Sequence, residues 1–189
     1  MLQKILYKLF MLFRKHVLNI DDRSSLEIAI ANGMKVGKDP NIQFGCILDP
    51  SHCWLIKMGD RVTLAPRVHV LAHDASTKRI LGYTMIGGVT IGDDVFVGAG
   101  TIILPGTTIG DRVVIGAGSV VSKDIPSDSV AVGNPARIIG TYSDFVCRKR
   151  KLLQELPIFD ESYVISQITD ERKREMVDLL TTSIKGFIR

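Results

Sequence analysis

From Ile91 to Ile125 the chain carries an aliphatic residue at every sixth position: Ile91, Val97, Ile103, Ile109, Ile115 and Val121. The position after each reads Gly92, Gly98, Leu104, Gly110, Gly116 and Ser122, mostly glycine. Four residues after each aliphatic stand Val95, Thr101, Thr107, Val113, Ser119 and Ile125, all small or β-branched. A helix repeats every 3.6 residues and a strand every two, so a period of six fits neither alone. It fits a solenoid whose unit is one short strand and one corner, three units closing a triangular coil. The aliphatic points into the prism, and glycine tolerates the backbone of the tight corner.

The same register continues upstream at Met58, Leu64 and Val70, and in a third phase at Val36, Ile42 and Leu48. Between Val70 and Met85 the spacing breaks the period, and the extra length, DASTKRILGYT, reads as a loop expelled from the prism. The pattern predicts about six coils over residues 34–140, a column about 28 Å tall at ~4.8 Å per coil.

The flanks follow other periods. In MLQKILYKLFMLFRKHV, residues Leu2, Ile5, Leu6, Leu9, Phe13 and Val17 fall at helical spacing with Lys4, Lys8 and Lys15 off the stripe. The apolar run is too short for the ~20 residues of a membrane span, and no small-residue cleavage site follows. It reads as a helix packed on the main domain or as a basic amphipathic helix resting on an anionic membrane surface. SDFVCRKRKLLQEL predicts a basic helix from about Ser143. TDERKREMVDLLTTSIKGF predicts a second, capped by Thr169, with Met176, Leu180, Ile184 and Phe187 as its apolar stripe. The division is thus a helical cap over 1–33, the repeat over 34–140 and a helical extension over 141–189. Helical ends would cover the strand edges of an open solenoid.

Composition narrows the chemistry. With a net charge of +4 among 189 residues the chain is only mildly basic. No aromatic-and-basic stacking motif supports nucleic-acid binding, so none is expected. Three cysteines without CxxC spacing indicate reduced thiols and a cytoplasmic protein. The glycines are not phosphate loops: a GxGxxG would need glycine at positions held by Ile103 and Val121, and no GxxxxGK occurs.

The repeat, the phrase IGAGSVVSKDIP and the following VAVGNPARII together resemble the hexapeptide-repeat acyltransferases over roughly residues 40–140. VTLAPRVHVLAHDAS is most similar to their maltose/galactoside and polysaccharide O-acetyltransferase branch. The resemblance implies a left-handed parallel β-helix, a hand opposite to the usual crossover preference. It also implies a homotrimer with active sites between subunits and acetyl transfer from acetyl-CoA with no metal required. On the matching positions, His73 stands where the family has its general base. Ala99 and Ala117 match the turns that meet the pantetheine arm, Ser122 and Lys123 the pair near the phosphates, and Arg137 a basic residue at the nucleotide end. Phe96 stands where many members carry tryptophan, at a contact with cofactor or substrate. The acceptor implied is a sugar hydroxyl, in cell-surface polysaccharide assembly. Transfer to serine or an amino sugar is the alternative, with a metal-dependent, carbonic-anhydrase-like protein and an inactive scaffold further off.

Acetyl transfer to a hydroxyl needs a base, donors for the oxyanion and substrates held in line. Histidine suits the first, with an unperturbed pKa of about 6.5. Two acids can orient His73: Asp74, which follows it directly, and Asp49 on an earlier coil. His52, between Asp49 and Cys53-Trp54, is expected to be a hydrogen-bonded core group and His69 an exposed one. A three-histidine metal site from His52, His69 and His73 does not match the spacing of the metal-dependent relatives. The run Arg148-Lys149-Arg150-Lys151 is a solvated face that could also support the 3′-phosphate.

Overall fold

The computed structural model describes residues 24–189. The N-terminal amphipathic helix expected from the sequence lies outside the described residues. Helix α1, Ser25–Ala31, opens on a reciprocal cap: the Glu27 amide donates to Ser24 Oγ while Glu27 Oε2 accepts from the Ser24 amide at 2.7 Å.

The chain then winds through three parallel sheets in turn. β1 (Lys35–Val36), β2 (Asn41–Ile42) and β3 (Ile47–Leu48) make the first coil. β4 (Ile56–Met58), β5 (Thr63–Leu64) and β6 (His69–Val70) make the second. A β7 (His73–Asp74), α2 (Lys78–Leu81), β8 (Met85–Ile86) excursion follows, with β7 and β8 antiparallel. β9 (Val89–Ile91), β10 (Phe96–Val97) and β11 (Ile102–Ile103) form the third coil, and β12 (Thr108–Ile109), β13 (Val114–Ile115) and β14 (Val120–Val121) the fourth. Sheet one stacks β1-β4-β9-β12, and sheet three stacks β3-β6-β11-β14. Sheet two stacks β2-β5-β10-β13 and β15 (Ser129–Val132) in parallel, with β16 (Arg137–Thr141) next to β15 after a link too short for a parallel crossover.

Register keeps the six-residue code intact from coil to coil: Leu64 pairs with Val97 and Val97 with Ile115, while Val70 pairs with Ile103 and Ile103 with Val121. All of these are fully buried. Each contributes about 1.5–3 kcal/mol by leaving water, so the column is held by its interior stripe. Thr101, Thr107 and Ser119, the polar members of the inward series, are buried too: Thr101 and Ser119 donate to the Gly116 carbonyl at 3.1 and 2.6 Å, and Thr107 to the Leu104 carbonyl at 2.8 Å. No helix among the described residues is long and apolar enough to cross a membrane.

The described residues make four full coils and part of a fifth, fewer than the six expected. Equivalent positions on the edge after sheet one are 22, 33 and 18 residues apart. Only the last is an unbroken turn. Residues 50–55, with a 3-10 turn at Cys53–Leu55, and the expelled loop consume the rest.

The glycines, too, work differently from expectation. Along the edge after sheet one, Asp60 Oδ1 accepts from the Lys38 amide, Asp93 Oδ1 from the Asp60 amide, and Asp111 Oδ1 from the Asp93 amide, at 2.7–2.8 Å. Ser127 Oγ ends the ladder by accepting from the Asp111 amide at 2.9 Å. The left-handed backbone of these corners is carried by Arg61, Asp94 and Arg112. What the corner asks of Gly92 is room: a Cβ there would lie 2.3 Å from Asp111 Oδ1. Arg61 and Arg112 reach one coil on to chelate Asp94 and Asp128 with two bonds each at 2.6–2.8 Å. These pairs are exposed, so water and salt screen them and they add little to stability.

The chain divides into two compact units, the second from Gly140 to Arg189. It holds α3 (Tyr142–Glu155), β17 (Ile158–Phe159), α4 (Asp170–Ser183) and β18 (Phe187–Ile188), with β17 and β18 parallel. Thr141 and Thr169 cap the two helices, accepting from the Asp144 and Arg172 amides. The predicted stripe of α4 stops short: Ile184 turns left-handed at φ 64°, and Phe187 belongs to β18.

Candidate active site

Three residues are gathered on the edge that follows sheet three. β3 pairs with β6 so that Leu48 lies beside Val70, and Asp49 leaves β3 with its amide donating to the Val70 carbonyl at 2.9 Å. His73 leaves the same edge one coil on, and its pairing with Ile86 holds it at the neck of the expelled loop. The two side chains meet: His73 Nδ1 donates to Asp49 Oδ2 at 2.7 Å. The carboxylate is fully buried, while the imidazole is 29% exposed.

Four donors surround that carboxylate. The Ala72 amide reaches Oδ2 at 2.6 Å beside His73, and the Ser51 and His52 amides reach Oδ1 at 3.0 Å each. Burial pushes the Asp49 carboxyl up, but these bonds, led by Ala72 and then His73, outweigh it and hold it below the usual carboxylate range. A buried anion with every lone pair answered is a fixed one. It sets the ring orientation of His73 and selects the tautomer with hydrogen on Nδ1.

Asp74, the other acid offered by the sequence, turns away and accepts from the Ser76 amide at 2.8 Å, which lowers its pKa and shapes the start of the loop. Adjacent strand residues face opposite sides, whereas residues on one edge of adjacent coils face the same way.

His52 is not the satisfied core residue its neighbours indicated. The turn held by Asp49 and the 3-10 helix after it bury Cys53 but leave Trp54 half exposed and His52 half-buried. Its ring centroid lies 5.2 Å from those of both His73 and Trp54. Its Nδ1 is buried without a hydrogen-bond partner. One ligand atom from each of Asp49, His52 and His73 lies within 4.8 Å of the other two. His69 stands apart, half-buried on β6 between Ile47 and Ile102 in sheet three.

The remaining candidates fall on two edges and a strand. Ser122 and Lys123 follow β14 and are exposed on the same edge as His73, two coils further along by the register Val70–Ile103–Val121. Ala99 and Ala117 are exposed on the edge after sheet two, in adjacent coils, linked by the Gly118 amide donating to the Ala99 carbonyl at 2.8 Å. Arg137 opens β16 and is exposed; neither it nor Lys123 forms an ion pair among the described residues. Phe96 stands in the outward row of sheet two, between Thr63 and Val114 and half exposed.

Residues 80–123 match the bacterial transferase hexapeptide family, described as six repeats. Protein CapG of Staphylococcus aureus is 37% identical over 136 residues, 70% of this chain and 76% of CapG. The maltose O-acetyltransferase of Clostridium difficile 630 superposes with a TM-score of 0.53 at 45% identity, over 58% of this chain and 59% of that one. A hexapeptide-repeat-containing acetyltransferase of Vibrio cholerae O1 biovar eltor, solved with acetyl coenzyme A, gives 0.52 at 32% identity, over 58% of this chain and 61% of that one. The chain therefore belongs to the hexapeptide-repeat transferases. It spans about three fifths of the two solved chains it is compared with.

Proposed function

We propose that this protein is an acetyl-CoA-dependent O-acetyltransferase acting on a sugar hydroxyl, with His73 as general base and Asp49 as the residue that positions it. The buried Asp49–His73 pair carries this reading. With hydrogen on Nδ1, the Nε2 lone pair of His73 takes the proton of the acceptor hydroxyl as its oxygen attacks the thioester carbonyl. The tetrahedral intermediate collapses with loss of the CoA thiolate, and His73 returns the proton to the sulfur.

The exposed, unpaired charge of Lys123, on the edge that also carries His73, suits the phosphates of the donor. Ala99 and Ala117 leave the turn backbone uncovered for the pantetheine arm, and Arg137 supplies charge for the nucleotide end. Phe96 is assigned a contact with substrate. Because the two alanines and His73 lie on different edges, one extended ligand reaches both by lying in a groove against a second copy. The outward row of sheet three, Ile47, His69, Ile102 and Val120, is apolar except for His69 and gives such a copy a surface to pack on. This supports a left-handed column assembled as a homotrimer, working in the cytoplasm where acetyl-CoA is available. The Clostridium maltose enzyme supports a sugar acceptor, and polysaccharide assembly is the setting this implies.

The purified chain should be supplied with acetyl-CoA and panels of sugars, amino sugars and serine, with release of free CoA thiol as the readout. Thiol release with a hydroxyl sugar is expected. Release only with serine or an amino sugar would move the acceptor class, and none with any would overturn the reading.

A further inference from the structure

We infer that Asp49, His52 and His73 also form a site for a divalent transition metal of the Zn²⁺ class, through which such an ion shuts off the base. The donor set is one carboxylate and two imidazoles, a combination that binds Zn²⁺ with a coordination position left open. The three candidate ligand atoms already lie within 4.8 Å of one another. Tetrahedral Zn²⁺ with bonds of about 2.0–2.2 Å needs them about 3.3 Å apart, a change that side-chain torsions can supply.

Three further observations favour a built site. Asp49 is fully buried, and the Ser51 and His52 amides anchor its second oxygen at 3.0 Å, the outer-shell support that fixes a ligating carboxylate. The buried Nδ1 of His52 has no partner. An imidazole without a bonded nitrogen has no assigned tautomer and is held to no other task. Both histidines are partly exposed, which gives an ion a route in. The sequence offered a different trio, with His69 in place of Asp49; His69 stands in the strand before the edge, and the acid from the adjacent coil takes its part.

The consequence falls on the base. The His73 nitrogen that faces Asp49 is Nδ1; a metal held there sends the ring hydrogen to Nε2, which leaves that imidazole no lone pair to accept a proton and frees the Asp49 oxygen it had occupied. Binding is testable without any assumption about activity; only the inhibition rests on the proposed transferase function.

The full chain, stripped with a chelator, should be titrated with Co²⁺ and followed by its visible ligand-field bands, then with Zn²⁺ by calorimetry. We expect saturable binding of one ion, Zn²⁺ displacing Co²⁺, and a zinc-edge anomalous peak between the three side chains in crystals. His52→Gln and Asp49→Asn should each weaken binding by about tenfold or more. Cys147→Ser, which removes the exposed thiol, should leave binding unchanged. Where the transferase assay is active, Zn²⁺ should inhibit it over the same concentrations. No saturable binding by the unaltered chain, an anomalous peak elsewhere, or equal binding by folded His52→Gln and Asp49→Asn would overturn the proposal. Binding without inhibition would keep the site and count against His73 as the base.

Discussion

Replacing His73 with alanine should lower kcat by about 10²–10⁴-fold while leaving acetyl-CoA affinity nearly unchanged, the usual share of general-base catalysis. Lys123→Ala and Arg137→Ala should instead raise KM for acetyl-CoA and spare kcat, because phosphate contacts are alike in ground and transition states. Steady-state kinetics of the three variants checks the contrast. Asp49→Asn tests the pair differently. An amide keeps the shape but sets an N–H against one of four donors, at a cost of about 1–3 kcal/mol of stability. The Asp49 carboxyl is held below its ordinary value, so its stabilising share is complete above the unfolded aspartate pKa of about 3.9 and fades as pH falls through the lower folded one. The gap in unfolding free energy between the two proteins should therefore be flat from pH 8 to 5 and narrow below about pH 4, as denaturant melts would read. His73 is legible in the sequence with two acids, Asp49 and Asp74, offered alike as its partner; which of them meets it is not. That depends on which positions share an edge of adjacent coils, and the insertion at residues 50–55 hides that register. His52 was misread because a buried Cys53 and an aromatic Trp54 look like core, whereas a 3-10 turn sends consecutive side chains in different directions.

At the level of the repeating coil, the glycine positions divide into two kinds that composition alone does not separate. At Gly98 an added Cβ would lie 2.4 Å from the Ala117 amide nitrogen of the next coil, so Gly98→Ala must push two layers apart. At Gly100 the space is open, and the demand is a φ of 68°. Gly100→Ala should cost about 1 kcal/mol in backbone preference, and Gly98→Ala distinctly more, measurable as the larger drop in Tm. The six-residue period was legible because one buried aliphatic per strand is the physical requirement of a narrow prism, and nothing else in the chain competes with it. The number of coils was not. Period counting assigns every residue to the column, including those the two excursions take away.

For the whole molecule, the proposed ligand contacts lie on two edges of the column, and the trimer proposed above would bring the edges of different copies together. Sedimentation or light scattering should find a trimer, and an active monomer of 20.8 kDa would refute that arrangement. The expelled loop bears on the same scale. It leaves through His73–Asp74 and returns through Met85–Ile86, four residues that pair with each other in an antiparallel neck. Because departure and return are side by side, the length between them never enters the arithmetic that keeps sheet on sheet. Its exposed Ile80, Leu81 and Tyr83 lie outside the column's buried core. Natural selection, or an engineer, can thus treat residues 75–84 as a graft: lengthened, shortened or exchanged above a fixed base, they change what stands beside His73 without rewriting the scaffold beneath it.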